Sequence, residues 1–146
     1  MARRVRRPVA ENPDRARADL VALLAVADRG IALQDDAVAV LRACAAPGEP
    51  DGSVAREGGR VAGEYHRLWA FALDFARHAD PDSLERRVSQ LLLHHCQVLH
   101  HAIRFAFPKF RTERLEQARQ SVVDLGPPAE EMRSLRDELA MWLSLL

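Results

Sequence analysis

Apolar residues recur along the chain at intervals of three and four residues, which is the pattern of amphipathic α-helices. This spacing predicts five helices, and the short connections between them predict antiparallel neighbours. We therefore expect an all-α, single-domain, up-and-down helical bundle. The predicted helices cover residues 13–46, 54–79, 81–107, 109–125 and 128–146.

Capping residues mark where several of these helices begin. Asn12-Pro13-Asp14 and Asp80-Pro81-Asp82 share one arrangement, in which a capping side chain precedes a proline and a carboxylate. That arrangement satisfies a free N–H group and complements the positive end of the helix dipole. Ser53 is a further candidate cap. The first predicted helix contains Gly30 and would be about 50 Å long if it were continuous, so we expect a kink or break near Gly30.

Composition supports the helical interpretation. The chain has 146 residues, of which 24 are Ala and 19 are Leu, whereas Val, Ile and Thr together number only 15. Strands favour β-branched residues and helices favour Ala and Leu, so a mainly β fold is excluded. Lys plus Arg and Asp plus Glu are 21 each, so the net charge is zero. A neutral chain argues against bulk nucleic-acid binding.

The sequence favours a cytoplasmic location. It contains no apolar run of the length needed to span a membrane. Its basic start has no apolar stretch behind it, unlike a secretory signal. The two cysteines, Cys44 and Cys96, are too few for a disulfide framework.

Four of the six histidines lie between residues 94 and 101. Helical spacing places His95 on the inward stripe, so we expect it to be buried. The same spacing places His94 and His101 on the polar face, where we expect them to be exposed. His100 falls on an apolar flank, which predicts a hydrogen-bonded packing residue.

A metal or haem site is one alternative function for this segment. Helical metal ligands need spacings of three or four residues, and no pair of these four histidines has such a spacing. Cys96 and His100 do have it, and His66 is a conceivable third ligand from the preceding helix. The weak spacing makes this the third hypothesis, and we expect no cofactor.

A second alternative is contact with nucleic acid. We expect residues 1–12 to form a disordered, arginine-rich arm and residues 13–146 to form the bundle. Arginines of such an arm can neutralise phosphates. One side of the third predicted helix is also basic. The candidate residues are Arg3, Arg4, Arg6, Arg7, Arg86, Arg87 and Arg104.

An interaction surface is the leading hypothesis. No motif for nucleophilic catalysis or phosphate binding occurs, so the sequence leans away from an enzyme. Phe71 interrupts a polar stripe, and apolar residues surround the end of the last helix. We expect Leu146 to point inward with Trp142 and Leu143, leaving Leu145 and part of Trp142 uncovered. Exposed apolar patches mark partners, so we predict a non-catalytic assembly module, self-associating or part of a larger complex. Its predicted partner-binding residues are Phe71, Trp142, Leu143, Leu145 and Leu146.

Overall fold

The computed structural model describes residues 12–146, of which 79% are helical and none lies in a strand. The all-α prediction is therefore confirmed for this range. The predicted arm lies outside the described residues apart from Asn12, which caps the first helix. The helices are α1 (Pro13–Ala32), α2 (Gln34–Ala45), α3 (Gly52–Ala76), α4 (Leu84–Ala106), α5 (Glu113–Ser121) and α6 (Pro127–Ser144).

The first predicted helix is divided into α1 and α2 at Leu33, close to the expected break near Gly30. The Leu33 N–H still donates to the Arg29 carbonyl, so α2 follows α1 with almost no connecting loop. The Tyr65 hydroxyl of α3 donates to the Gly30 carbonyl at 2.7 Å. This side-chain donor satisfies a backbone acceptor where the helix is interrupted.

One cross-section of the bundle contains a residue from each of four helices. A Cβ placed on Gly30 of α1 would lie within 4 Å of Leu92 on α4, Met132 on α6 and Tyr65 on α3. This close approach explains the glycine, because a larger side chain would press on Leu92 at 3.0 Å. We call these four residues the Gly30 layer.

Contacts between helices fix their directions. Arg29 pairs with Glu64 and Asp36 pairs with Arg60, so α3 runs antiparallel to α1 and α2. In α3 and α4, Gly58 approaches Ile103 and Ala62 accepts a hydrogen bond from Cys96, which makes this pair antiparallel too. The sequence therefore folds as an up-and-down bundle.

The last long helix completes the bundle by running back along α1. Arg136 pairs with Asp28, and Gln34 contacts Ala129, so α6 is antiparallel to α1 and α2. Helix α4 contacts each of the other five helices and is the centre of the fold. Its buried residues include Leu84, Val88, Leu92, His95, Leu99 and Ala106.

Three predicted helix starts differ from the structure. Helix α4 begins at Leu84 with Ser83 as its cap, because the Asp80 carbonyl accepts from the Ser83 N–H and closes a turn first. Helix α3 is capped by Asp51 instead of Ser53, which lies inside the first turn. Thr112 caps α5, whose nine residues are fewer than the sequence predicts.

Within residues 12–146, no helix combines the length and apolar character needed to cross a membrane.

Candidate functional site

Five large apolar side chains are exposed on α1, α3 and the end of α6. Each exposes between 44% and 65% of its surface. Exposed apolar side chains that lie close together mark surfaces that other molecules cover. We call this set the Phe71 end; it consists of Val21, Phe71, Met141, Leu145 and Leu146.

The Phe71 end lies on one side of the Gly30 layer. Val21 precedes Gly30 by nine residues on α1, whereas Phe71 follows Tyr65 by six on α3. The α6 members of the set all follow Met132. Because α1 runs opposite to α3 and α6, these positions extend from the layer in the same direction. At 1.5 Å per residue, they lie about 9 to 20 Å from it.

The Phe71 ring has one aromatic neighbour, Phe75, at a centroid distance of 5.3 Å. Phe75 itself packs partly against the core, so it holds Phe71 in place without covering it. Flanking residues on the same side of α3, Arg67 and Asp74, are exposed and polar. Phe71 is therefore an ordered apolar group within a solvated surface.

At the end of α6, some predicted partner-binding residues pack inward and others are exposed. Trp142 and Leu143 are half-buried against the core, while Leu145 is 65% exposed. The expectation that Leu146 points inward is wrong, because α6 ends at Ser144 and Leu146 is 44% exposed. The buried indole N–H of Trp142 has no acceptor within the described residues.

Sequence reasoning missed Val21 and Met141, although a signal was present. Met141 follows the exposed residues Ser134 and Asp137 at helical spacing, so it is an apolar residue on a polar stripe. Val21 likewise follows an exposed polar residue, Arg17, at helical spacing on α1. The criterion that singled out Phe71 also identifies both of these residues.

Large apolar groups are also exposed at the opposite end of the bundle, but they do not lie on the long helices. Phe110 is 74% exposed in the irregular segment between α4 and α5, with the Lys109 ammonium 5.8 Å from its ring centre. Val123 is exposed beyond the end of α5. Phe110 therefore serves as a comparison for Phe71, because it is at least as apolar and more exposed.

The core contains a polar cluster around His95, which is fully buried as predicted. Its Nδ1 lies 2.7 Å from the Leu91 carbonyl and must donate to it. Its Nε2 then accepts from the Gln34 amide nitrogen at 3.3 Å. Burial lowers the pKa of His95, which the Leu91 hydrogen bond opposes and the neighbouring His94 reinforces. The imidazole is therefore neutral at pH 7.

Gln34 links this cluster to α6. Its amide nitrogen also donates to the Ala129 carbonyl at 3.2 Å, whereas its buried Oε1 has no partner within the described residues. The Tyr65 ring lies 5.2 Å from the His95 ring, and burial followed by the Asp36 charge raises the Tyr65 pKa. These groups hold one another by hydrogen bonds and packing.

The other histidines of the cluster lie in water. His94 and His101 are exposed, as predicted. His100 is exposed as well, and the expectation of a packing residue is wrong. Helix α4 meets α3 through Cys96 and Ile103. His100 lies between these two residues along α4, but its side chain is exposed.

The candidate metal ligands do not converge. The Cys96 thiol is buried and donates to the Ala62 carbonyl at 3.5 Å, and burial raises its pKa. His100 is exposed, and His66 is exposed with its ring 5.3 Å from Trp69. Across residues 12–146, no three His, Cys, Asp or Glu side chains are placed to hold a metal ion.

Two of the candidate nucleic-acid residues on α4 make contacts inside the fold. Arg86 donates to the Ala79 carbonyl at 3.3 Å and so fastens the end of α3. Arg87 forms an ion pair with Glu131 of α6. Arg104 is exposed near the end of α4. Arg3, Arg4, Arg6 and Arg7 lie outside the described residues.

A surface groove of about 590 Å³ separates the beginning of α3 from α2. Its most prominent charge is Arg60, which pairs with Asp36, Glu57 and Glu64. The hydrogen bond from Arg60 lowers the pKa of Glu57. One arginine is thus shared by three carboxylates, and these ion pairs form a surface network that links α2 to α3.

Comparison with protein-family models, with curated proteins and with solved structures found no match to this chain.

Proposed function

We propose that this protein is a non-catalytic helical assembly module, and that it binds a second copy of itself or another protein through the Phe71 end. The observation that carries the proposal is the exposure of five large apolar side chains from α1, α3 and α6 on one side of the Gly30 layer. The proposed setting is the cytoplasm, where the buried thiols of Cys44 and Cys96 stay reduced.

The energetics support association. Fully burying one large apolar side chain stabilises a protein by about 1.5–3 kcal/mol. Each member of the Phe71 end is roughly half exposed, so covering all five is worth on the order of 5 kcal/mol. A complex with a micromolar Kd requires a net binding free energy of about 8 kcal/mol. Burial of the apolar set therefore favours association, and further contacts must offset the rotational and translational freedom lost on binding.

The arrangement on helices also supports an interface. Val21, Phe71 and Met141 lie on helices that the core holds in place, so binding does not have to order their backbone. Phe71 and Phe75 form an edge-on aromatic pair, and rigid aromatic groups are common anchors at interfaces. Leu145 and Leu146 extend this surface beyond the last turn of α6.

The proposal is tested by the mass of the assembled protein. The full chain is studied by sedimentation equilibrium, and the complex isolated from its native cells is weighed by native mass spectrometry. The double variant Phe71→Ser with Leu145→Ser is compared with Phe110→Ser, which removes a more exposed ring from the opposite end. We expect the double variant to lose the assembly and Phe110→Ser to retain it, with both remaining helical by circular dichroism.

Two results would overturn this function. One is a chain that is monomeric in both experiments at all concentrations. The other is a double variant that keeps the wild-type assembly mass while remaining folded. Dissociation by Phe110→Ser alone would place the interface at the opposite end and contradict the role of Phe71.

A further inference from the structure

The polar cluster in the core joins three helices through one amide group. The Gln34 nitrogen, at the first residue of α2, donates to His95 of α4 and to the Ala129 carbonyl in the first turn of α6. Its two hydrogens are therefore directed at two acceptors. Both contacts require the amide orientation in which the nitrogen, and not Oε1, faces His95 and Ala129.

This arrangement holds only while His95 is neutral. With Nδ1 donating to Leu91, the Nε2 lone pair is the acceptor that Gln34 needs. A proton on Nε2 would set two donors against each other at 3.3 Å. Rotating the amide would let Oε1 accept from His95, but it would then place the same oxygen against the Ala129 carbonyl, and two acceptors repel.

We propose that Gln34 and His95 form a proton-sensitive latch, in which neutral His95 lets Gln34 tie α2 to α6, and protonation of His95 releases the tie to Ala129. The latch lies at the break between α1 and α2, next to the Tyr65 hydrogen bond to Gly30. Its release loosens the beginning of α6, which follows Gly126, a residue in the left-handed region at φ 69°.

Among the groups facing His95, the Leu91 carbonyl favours the charged form, but burial outweighs it. From α3 the facing group is the neutral phenol of Tyr65, and from α4 it is His94, whose ring centre is 6.4 Å away. From α2 and α6 the groups are the Gln34 amide and, through it, the Ala129 carbonyl. Burial accordingly lowers the pKa of His95.

The direction of the pH dependence follows from this shift. An unfolded histidine titrates near pH 6.5, and the folded His95 titrates below that value. The unfolded chain therefore binds the proton more readily as the pH falls below about 6.5. The contribution of neutral His95 to stability is complete above that pH. It is lost as the pH falls towards the folded pKa.

The latch is tested on the full-length chain by NMR between pH 7.5 and 5. Imidazole ¹⁵N shifts report the tautomer and protonation of His95, and amide hydrogen exchange reports the opening of α6. We expect the Nδ1–H tautomer at pH 7.5 and an apparent pKa below 6.5 for His95. As His95 protonates, the protection factors of the Glu131 and Met132 amides should fall several-fold more than that of Leu139, further along the same helix.

Two variants isolate the two partners. His95→Asn keeps a donor for the Leu91 carbonyl and cannot titrate. In the wild-type chain, uptake of one proton on unfolding raises the unfolding constant by up to about tenfold for each pH unit below 6.5. The variant should lose this rise. Gln34→Glu places a carboxylate beside Nε2, so the His95 pKa should move upward.

The latch is wrong if wild-type His95 carries its proton on Nε2 at pH 7.5 or titrates at or above pH 6.5. It is also wrong if His95 stays unprotonated down to pH 5, or if it protonates while Glu131 and Met132 keep their protection relative to Leu139. These readouts use the wild-type chain, so they decide the question even if a variant fails to fold.

Discussion

The guanidinium of Arg119 donates to the backbone carbonyl of Cys44 at 2.9 Å, although the two residues are 75 positions apart. It also donates to the Ala46 carbonyl at 2.6 Å, and its charge is paired with Glu116. Arg119 is almost fully buried. A residue of the short helix α5 thus caps the carbonyl end of α2 and fixes α5 to the bundle.

Replacing Arg119 should therefore destabilise the fold. Arg119→Met leaves two carbonyl groups at the end of α2 without their charged donor, and we expect a loss of about 2–4 kcal/mol in the free energy of unfolding. Urea denaturation measures this change. The matched control is Arg133→Met, which removes an exposed pair with Glu130 and should cost less than about 0.5 kcal/mol. Equal effects of the two substitutions would contradict the capping role.

Adjacent glycines on α3 should respond to alanine in opposite directions. A Cβ on Gly58 would lie 2.7 Å from Ile103 Cδ1 and 3.2 Å from Val40, whereas a Cβ on Gly59 meets open space. We expect Gly58→Ala to destabilise by up to about 2 kcal/mol, because an overpacking cost of about 1–3 kcal/mol exceeds a helix-propensity gain of about 1 kcal/mol. We expect Gly59→Ala to stabilise by about 1 kcal/mol through helix propensity. Thermal and urea unfolding of the two variants measure both changes. If both substitutions stabilise the fold, or both destabilise it, then α3 does not turn Gly58 towards the core and Gly59 towards solvent.

Two truncations should separate folding from assembly. A chain ending at Ser144 loses only Leu145 and Leu146, which are exposed, so it should stay folded with weakened association. A chain ending at Ala140 also loses Trp142 and Leu143, which pack on the core, and should be less stable by several kcal/mol, at about 1.5–3 kcal/mol for each large side chain. Circular dichroism and sedimentation of the two chains give the comparison. A chain ending at Ser144 that assembles like wild type would contradict the role of the last two leucines.

The two cysteines should be unreactive until the protein unfolds. Burial raises the pKa of both thiols, although the Arg119 charge partly opposes this for Cys44. Because the thiolate is the reactive and metal-binding form, native Cys44 and Cys96 should react slowly with a disulfide reagent at pH 8. Mass spectrometry of labelled protein, with and without urea, checks this expectation. Rapid labelling of native Cys96 would contradict its burial and reopen the question of a metal ligand there.

Helical spacing was sufficient to predict the fold and the burial of His95. Both depend on the period of apolar residues along one helix, and α4 keeps that period from Leu84 to Ala106. The same reasoning failed for His100, which is exposed although Cys96 and Ile103, its neighbours at helical spacing, contact α3. The apolar pattern along one helix does not show how far the neighbouring helix covers it.

The candidate sites were predictable only in part. Phe71 and Leu145 stand out because they are apolar residues at polar positions, and the same criterion finds Met141. The partners of His95 were not predictable. Gln34 reaches it across 61 residues, and the contact arises only when α2 and α4 pack against each other. Arg119 was likewise not predictable, because the sequence does not show that the end of α2 lies beside it.

The most direct test of the central claim is hydroxyl-radical footprinting of the full chain in its assembled and dissociated states. Phe71, Met141 and Phe110 are all exposed in the single chain, and all three side chains react readily with the radical. We predict that assembly lowers the oxidation of Phe71 and Met141 several-fold and leaves Phe110 unchanged. Oxidation of Phe71 and Met141 that is the same in the two states would contradict an interface at the Phe71 end.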